Sequence, residues 1–258
     1  MRRICAFLLI AVTLFLSACS TRSVNPDIAE LPDFQSASMD RLVITNSRYA
    51  GKYTIATKNT IQSIKKQILK AKGNAEDSML EPDFIFEFYS GSKKVATFYY
   101  TAKINDKEIS NLKDENGKLY HISTDIEQSF MKRIMRSDNR ENVSAYYKSL
   151  ITKLLEKTEA SSGDVVVIDI SKDDSILKSM TSIEQKHLLD SISSKGVDLK
   201  FPTEVEKWDY YITINTTLYT DDSCKGTATI DDIANNTSVK YSVQGDYESE
   251  WEYHIQYK

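Results

Sequence analysis

From Tyr210 onward the chain is patterned in twos. Tyr210, Ile212, Ile214, Thr216 and Leu218 alternate with Tyr211, Thr213, Asn215, Thr217 and Tyr219. Val239, Tyr241 and Val243 repeat the period, and Trp251, Tyr253, Ile255 and Tyr257 alternate with Glu252, His254, Gln256 and Lys258. Successive side chains of a strand point to opposite faces, so this period commits the C-terminal part to a sheet with two unlike faces. Upstream the period changes to that of a helix. Val143, Tyr146, Tyr147, Leu150, Ile151, Leu154 and Leu155 share one helical face. They predict a helix from Glu141 to about Thr158, opened by a capping box of Asp138 with Glu141 and stopped by Ala160-Ser-Ser-Gly163.

Residues 42–137 read as a first unit. Strands at Leu42 to Thr45 and Tyr53 to Ala56 precede a helix from Asn59 to Ala71, closed by Lys72-Gly73. Asp83 to Tyr89 and Val95 to Ala102 form a hairpin about Ser90-Gly91-Ser92, and a second turn at Asp114 to Gly117 leads into Leu119 to Ser123. A short helix over Ile126 to Met135 ends the unit. Residues 164–258 read as a second unit, with a continuous apolar strand Val165 to Ile170 and a helix from Ser182 to Lys195, capped by Thr181 and Glu184 and closed by Gly196. The expected fold is α+β: two small units, each an antiparallel sheet with a packed helix, joined by a bridging helix and linker over residues 138–163. Both units place an aspartate, Asp83 or Asp209, before an aromatic strand, which fits either a diverged duplication or a merely shared architecture.

The N-terminus carries an address. Arg2 and Arg3 precede Ile4 to Ala18, in which only Thr13 and Ser17 are not apolar. That is the pattern of a signal peptide over residues 1–18, and it is short of the roughly 20 apolar residues a permanent span requires. Leu16-Ser17-Ala18-Cys19 resembles the lipobox of bacterial lipoproteins. The resemblance implies a diacylglyceryl group on the Cys19 thiol and cleavage before it. Several acyl chains, at about 0.8 kcal/mol per buried methylene, hold a protein firmly to a bilayer. Residues 19–41, with Pro26 and Pro32, then read as a flexible tether with a span of roughly 25 Å. The expected location is the extracytoplasmic face of the cell membrane, or the outer membrane where the host has two.

A second resemblance covers residues 53–135. The helix Ile61 to Lys72, the segment Met79-Leu80-Glu81-Pro82-Asp83-Phe84, Gly91 and the strand Lys118-Leu-Tyr-His-Ile-Ser123 look like the YhfM-like domain of lipoproteins from Bacillus-type bacteria. The sequence departs from that pattern at Ser78 and over Thr101 to Leu112. The family brings no catalytic residues with it.

Composition limits the chemistry. The 258 residues carry 33 basic and 37 acidic side chains, a formal charge of −4, so no overall positive field is available for nucleic acid. Three cysteines, of which Cys5 leaves with the leader and Cys19 is lipidated, leave Cys224 without an intrachain partner. Cys224 sits in Asp221 to Gly226, which reads as a turn and suits a plain semi-buried thiol. His121, His187 and His254 form no metal-binding motif, the latter two read as solvent-facing, and the acidic pairs Asp173-Asp174, Asp221-Asp222 and Asp231-Asp232 lack the spacing of a calcium loop. No metal and no cofactor is expected.

Two surface features remain. Lys52, Lys58, Lys65, Lys66, Lys70 and Lys72 occur with no acid between Gly51 and Ala75. Lys65, Lys66, Lys70 and Lys72 are the candidate contact for an anionic lipid or polymer, and a solvated helix face is the plainer reading of the same residues. Tyr89, Tyr99, Tyr100, Tyr211 and Tyr219 either line an outer sheet face that holds glycan or peptide, or pack under a helix. The functional expectation is a membrane-anchored, non-catalytic binding module meeting an envelope protein or polymer. The alternative is a cell-envelope hydrolase using carboxylates such as Asp209 or Glu250 in a cleft between the units.

Overall fold

The computed structural model describes residues 32–131, 140–192, 196–220 and 222–258. The expected leader, Cys19, most of the tether, Asp138, Asp221 and the last residues of the helices expected to reach Met135 and Lys195 lie outside the described residues. The fold is α+β, built on two sheets of seven and six strands.

The first unit opens with α1 (Pro32–Ser36), β1 (Arg41–Asn46), β2 (Lys52–Ile55), α2 (Lys58–Ile68) and β3 (Lys72–Gly73). Then come β4 (Phe84–Ser90), β5 (Lys93–Tyr100), β6 (Leu112–Asp114), β7 (Leu119–His121) and a 3-10 turn (Thr124–Ser129). Its sheet runs β2-β1-β4-β5-β6-β7-β3, antiparallel throughout. Alternation sends Phe84, Phe86 and Phe88 to one face of β4, opposite Tyr100, Phe98 and Ala96 of β5. That face packs on Ile61, Ile64 and Ile68 of α2. Phe34 of α1 closes the end of the core, its ring edge-on to Phe88 at 5.1 Å and to Phe98 at 5.0 Å.

The helix expected to reach Ala71 ends at Ile68, because Lys72 and Gly73 are taken into the sheet opposite His121 and Tyr120. The left-handed residue that turns the chain there is Asn74, at φ +57°, rather than Gly73. The hairpin turn and the Asp114 turn form as expected, with Gly91 and Gly117 at positive φ.

The second unit comprises α3 (Arg140–Leu155), β8 (Val165–Asp169), α4 (Asp174–Leu177), α5 (Ser182–Asp190), β9 (Asp198–Lys200), β10 (Tyr210–Tyr219), β11 (Ser223–Asp232), β12 (Thr237–Tyr247) and β13 (Trp251–Tyr257). Its strand order is β13-β12-β11-β10-β8-β9. This sheet is mixed where an antiparallel one was expected: β8 runs parallel to β10 and to β9. The reason is the crossover through α4 and α5, since a strand that returns after a helix lies parallel to the one it left. The two sheets therefore differ in topology, which gives the duplication reading no support. Val143, Tyr146, Tyr147, Leu150, Ile151 and Leu154 of α3 are all buried in the second core, so this helix packs as a layer of that unit.

The alternation of β10 breaks at a bulge between Thr216 and Leu218. One extra residue reverses the faces beyond it. Leu218, which the alternation puts on the face of Ile212 and Ile214, is 45% exposed, and the Tyr219 ring packs 5.0 Å from that of Tyr146. Opposite the bulge the backbones approach so closely that a Cβ on Gly226 would meet the Asn215 carbonyl at 2.5 Å. The segment Ser223 to Gly226, read as a turn, instead opens β11, and Cys224 is buried.

A polar seam joins the units. Asp83, 1% exposed, receives hydrogen bonds from the Arg48 guanidinium at 2.6 Å, the Ala102 N–H at 2.8 Å and the Ser182 N–H at 2.8 Å. Ser182 opens α5, so a carboxylate of the first unit sits at a helix N-terminus of the second. The same guanidinium donates to the Met180 carbonyl at 2.9 Å, and Ser182 Oγ donates to the Glu81 carbonyl at 2.6 Å. Lys103 bonds to Glu184, which also completes the expected capping box with Thr181.

Candidate functional site

The lysine face divides on inspection. Lys65 does not belong to the candidate contact surface: it is 7% exposed, and its ammonium donates to the carbonyls of Gln35 at 2.9 Å and Ala37 at 3.0 Å. It lies on the inner side of α2 because it is one position after Ile64 and three before Ile68, on the stripe that meets the core. Its long stem lies inside while its charge ties down the end of α1, and burial pushes its pKa down. Lys72 is exposed but paired with Glu108 at 2.6 Å. Lys66 and Lys70 face solvent.

The tyrosines divide too. Tyr100 is fully buried, stacked 5.5 Å from Phe86 and bonded through its hydroxyl to Glu127 at 2.8 Å, so it packs under the helix layer. Burial, with the nearby Glu127 charge, raises its hydroxyl pKa strongly. Tyr219 belongs to the aromatic cluster of the second core. Tyr89 lies under the Arg41 guanidinium, 4.4 Å from the ring centre. Tyr211 donates to Asp169 at 3.0 Å, and burial followed by that bond pushes its pKa up to about 12.

Asp209 and Glu250 do not form a catalytic pair. Asp209 precedes Tyr210, which is registered against Asp232, and its carboxylate accepts the Val165 N–H at 2.8 Å. Glu250 precedes Trp251 at the far end of the same sheet, where Tyr219 pairs with Cys224 and Tyr247 with Trp251. The ten residues of β10 separate those two ends. At about 3.3 Å per residue that is of order 30 Å, against the roughly 5–9.5 Å that two-carboxylate hydrolysis requires. Asp173, from another acidic pair, is a buried anchor that accepts from Tyr147 Oη at 2.9 Å, Thr216 N at 2.7 Å and Thr216 Oγ1 at 2.6 Å. Among the described residues no group of three or more His, Cys, Asp or Glu side chains gathers to hold a metal. His187 and His254 are exposed, and His121 Nδ1 lies 2.7 Å from the Ile109 carbonyl.

The structure places a cleft beside the segment that begins Met79-Leu80-Glu81-Pro82. Its cavity of about 790 Å³ lies over the outer face of β5, β6 and β7, where Tyr99, Lys113 and Leu119 stand in one row across the strands. Residues 77–82 form one wall and the Asp114–Gly117 turn the other. The first wall is fixed at both ends. Glu76 bonds to the backbone of Glu108 and Ser110 at 2.7 Å on one side, and Ser47 and Ser182 donate to the Pro82 and Glu81 carbonyls on the other. Between these ties Met79 stands 84% exposed at φ +56°, its N–H bonded to Asp77 Oδ1 at 2.9 Å. The volume falls within the range of small-ligand sites, about 300–1,000 Å³.

A scan of protein-family models, the curated proteins and the solved structures gives no match to this chain. The cleft therefore has to be read from its own chemistry. Asp77, Glu81 and Glu115 stand exposed around it, and Lys113 is the one basic side chain of its lining. Asp114 is turned inward, 2% exposed, and is occupied by the Asn116 and Lys118 N–H groups, each at 2.9 Å. The sequence signal for this site was present in the apolar pair Met79-Leu80 between Asp77 and Glu81, a short apolar step in an acidic loop. Its meaning depends on Tyr99 and Leu119, which only strand register brings beneath it.

Proposed function

We propose that the chain is a lipid-anchored extracytoplasmic protein that binds a partner without transforming it. The observation that carries this reading is the order of Arg2-Arg3, the apolar run Ile4 to Ala18 and Leu16-Ser17-Ala18-Cys19. The proposed hold is the acylated Cys19; among the described residues no helix is long and apolar enough to cross a membrane. With Arg2 and Arg3 removed, the mature chain keeps 31 of its 33 basic residues against 37 acidic ones, which gives it no overall attraction to an anionic bilayer. The cleft on the first sheet is the proposed contact site.

The test is mass spectrometry of the N-terminal peptide from native membranes, with detergent-phase partitioning of the wild type and of Cys19→Ser. The expected result is an acylated cysteine at the new N-terminus and loss of partitioning in the variant. An unmodified Cys19, or equal partitioning of both proteins, overturns the reading.

A further inference from the structure

We infer that the cleft over Tyr99 and Leu119 takes an amphipathic organic cation, an alkylammonium group carried on an apolar body. The inference deepens the binding reading above and rests on it for its biological setting, though not for its test.

Three observations converge. The floor carries an aromatic and an apolar side chain: Tyr99 and Leu119, both half-buried, stand on either side of Lys113 in the row, and Leu80 and Pro82 close the side. A flat tyrosine ring next to an apolar step accepts both a methylene chain and a cation held over its face. The rim is acidic, with Asp77 and Glu81 on one wall and Glu115 on the other. Asp77 gives Oδ1 to the Met79 N–H and keeps Oδ2 for a ligand. The one basic side chain of the lining, Lys113, rises between Tyr99 and Leu119, and its stem runs toward the hairpin turn, its Cε 4.0 Å from the place a Gly117 Cβ would occupy. Among the described residues neither Asp77 nor Glu81 forms an ion pair, so this wall keeps its negative charge. Glu115 has Lys94 near it, but an anion would meet Asp77 and Glu81 unpaired, and an uncharged apolar molecule would leave those two without a counter-charge.

The wall is also built before any ligand arrives. Its two ends are tied to the 108–110 segment and to the seam, so only the stretch around Met79 has to adjust. A preformed site loses less ordering entropy on binding. The same ammonium chemistry is offered by a free amine or by a lysine side chain within a peptide, and the experiment separates them.

The full chain in a neutral maltoside micelle is titrated with hexyltrimethylammonium, hexylammonium, hexanoate and the blocked tripeptide Ac-Gly-Lys-Gly-NH2. Heat is recorded, and so is the methyl resonance of Met79, assigned by Met79→Leu. The cations are expected to bind and to move the Met79 signal, and hexanoate to do neither. Asp77→Asn with Glu81→Gln keeps the shape and the Met79 hydrogen bond, and should weaken cation binding about tenfold. Lys113→Gln should leave it equal or tighter. If the tripeptide binds more tightly than hexylammonium, the source is a peptide lysine, and if less tightly, a free amine. Equal binding of hexanoate, no effect of the double variant, or no cation bound at about 10 mM overturns the inference. Such a failure leaves the acylation result at Cys19 untouched, so the two readings fail separately.

Discussion

Asp83 of the first unit and Ser182 of the second are bonded through both the N–H and the hydroxyl of the serine, at 2.8 and 3.1 Å, in a site that excludes water. Burial acts to raise the Asp83 pKa, and the Ala102 N–H, the Arg48 charge and the two Ser182 bonds oppose it, leaving the group above its usual value. A buried carboxylate with a buried guanidinium is costly to break from one side, because the partner is left charged and alone. Asp83→Asn should therefore lose about 3 kcal/mol of unfolding free energy, and Arg48→Met a similar amount. The double variant should lose less than the sum, and urea unfolding of all four proteins measures the coupling.

The pH dependence of Glu184 has the opposite sign. Burial acts to raise its pKa, but the hydrogen bond and charge of Lys103 and the bonds from Thr181 outweigh it, so the folded value lies below 4.5. A carboxylate with a depressed folded pKa contributes stability that is present above the unfolded value and is lost as pH falls through the folded one. Glu184→Gln keeps the capping geometry and removes the charge. Wild type should exceed the variant in urea midpoint at neutral pH, and the difference should vanish as pH drops below 4.5 and through the folded value.

Lys65 and its neighbours should behave as different kinds of residue. Lys65→Ala leaves two inward carbonyls without a donor and should cost about 2 kcal/mol. Lys66→Glu with Lys70→Glu should stay within about 0.5 kcal/mol of wild type, as exposed substitutions do. If α2 touches an anionic surface, that double variant alone should lose salt-sensitive binding to vesicles containing anionic lipid.

Cys224 should be chemically silent. Burial pushes its thiol up to about 12, and a thiol at that value holds almost no thiolate at neutral pH. In the mature protein, with Cys5 removed and the Cys19 sulfur held as a thioether, Ellman's reagent should label nothing over hours in the native state and one thiol once urea unfolds the chain. Rapid labelling without denaturant would contradict the burial described above.

The periodic segments were legible because one residue's choice is repeated by its neighbours. The stripe Val143 to Leu154 and the alternation of Trp251 to Tyr257 each state their element several times over, and both elements form where the period puts them. Thr181 and Glu184 announced a helix start through a local hydrogen-bond pattern that needs no distant partner. What was not legible depends on residues far apart in the chain. The direction of β8 is set by the crossover that follows it, and the reversal at Leu218 by one extra residue opposite Gly226. The inward turn of Lys65 depends on α1 ending beside it. The cleft belongs to the same class, since the wall of residues 77–82 lies at least seventeen residues from Tyr99 and further still from Leu119, and the floor forms only when β5 pairs with β6 and β6 with β7.

The anchoring of α1 has a mechanical consequence. The described residues open with a helix whose Phe34 is wedged between Phe88 and Phe98 and whose end is gripped by Lys65. If the chain is held at its N-terminus, any drag on the body arrives first at that ring and that ammonium. The load then passes into the strands β4 and β5, the second of which also carries Tyr99 of the cleft floor.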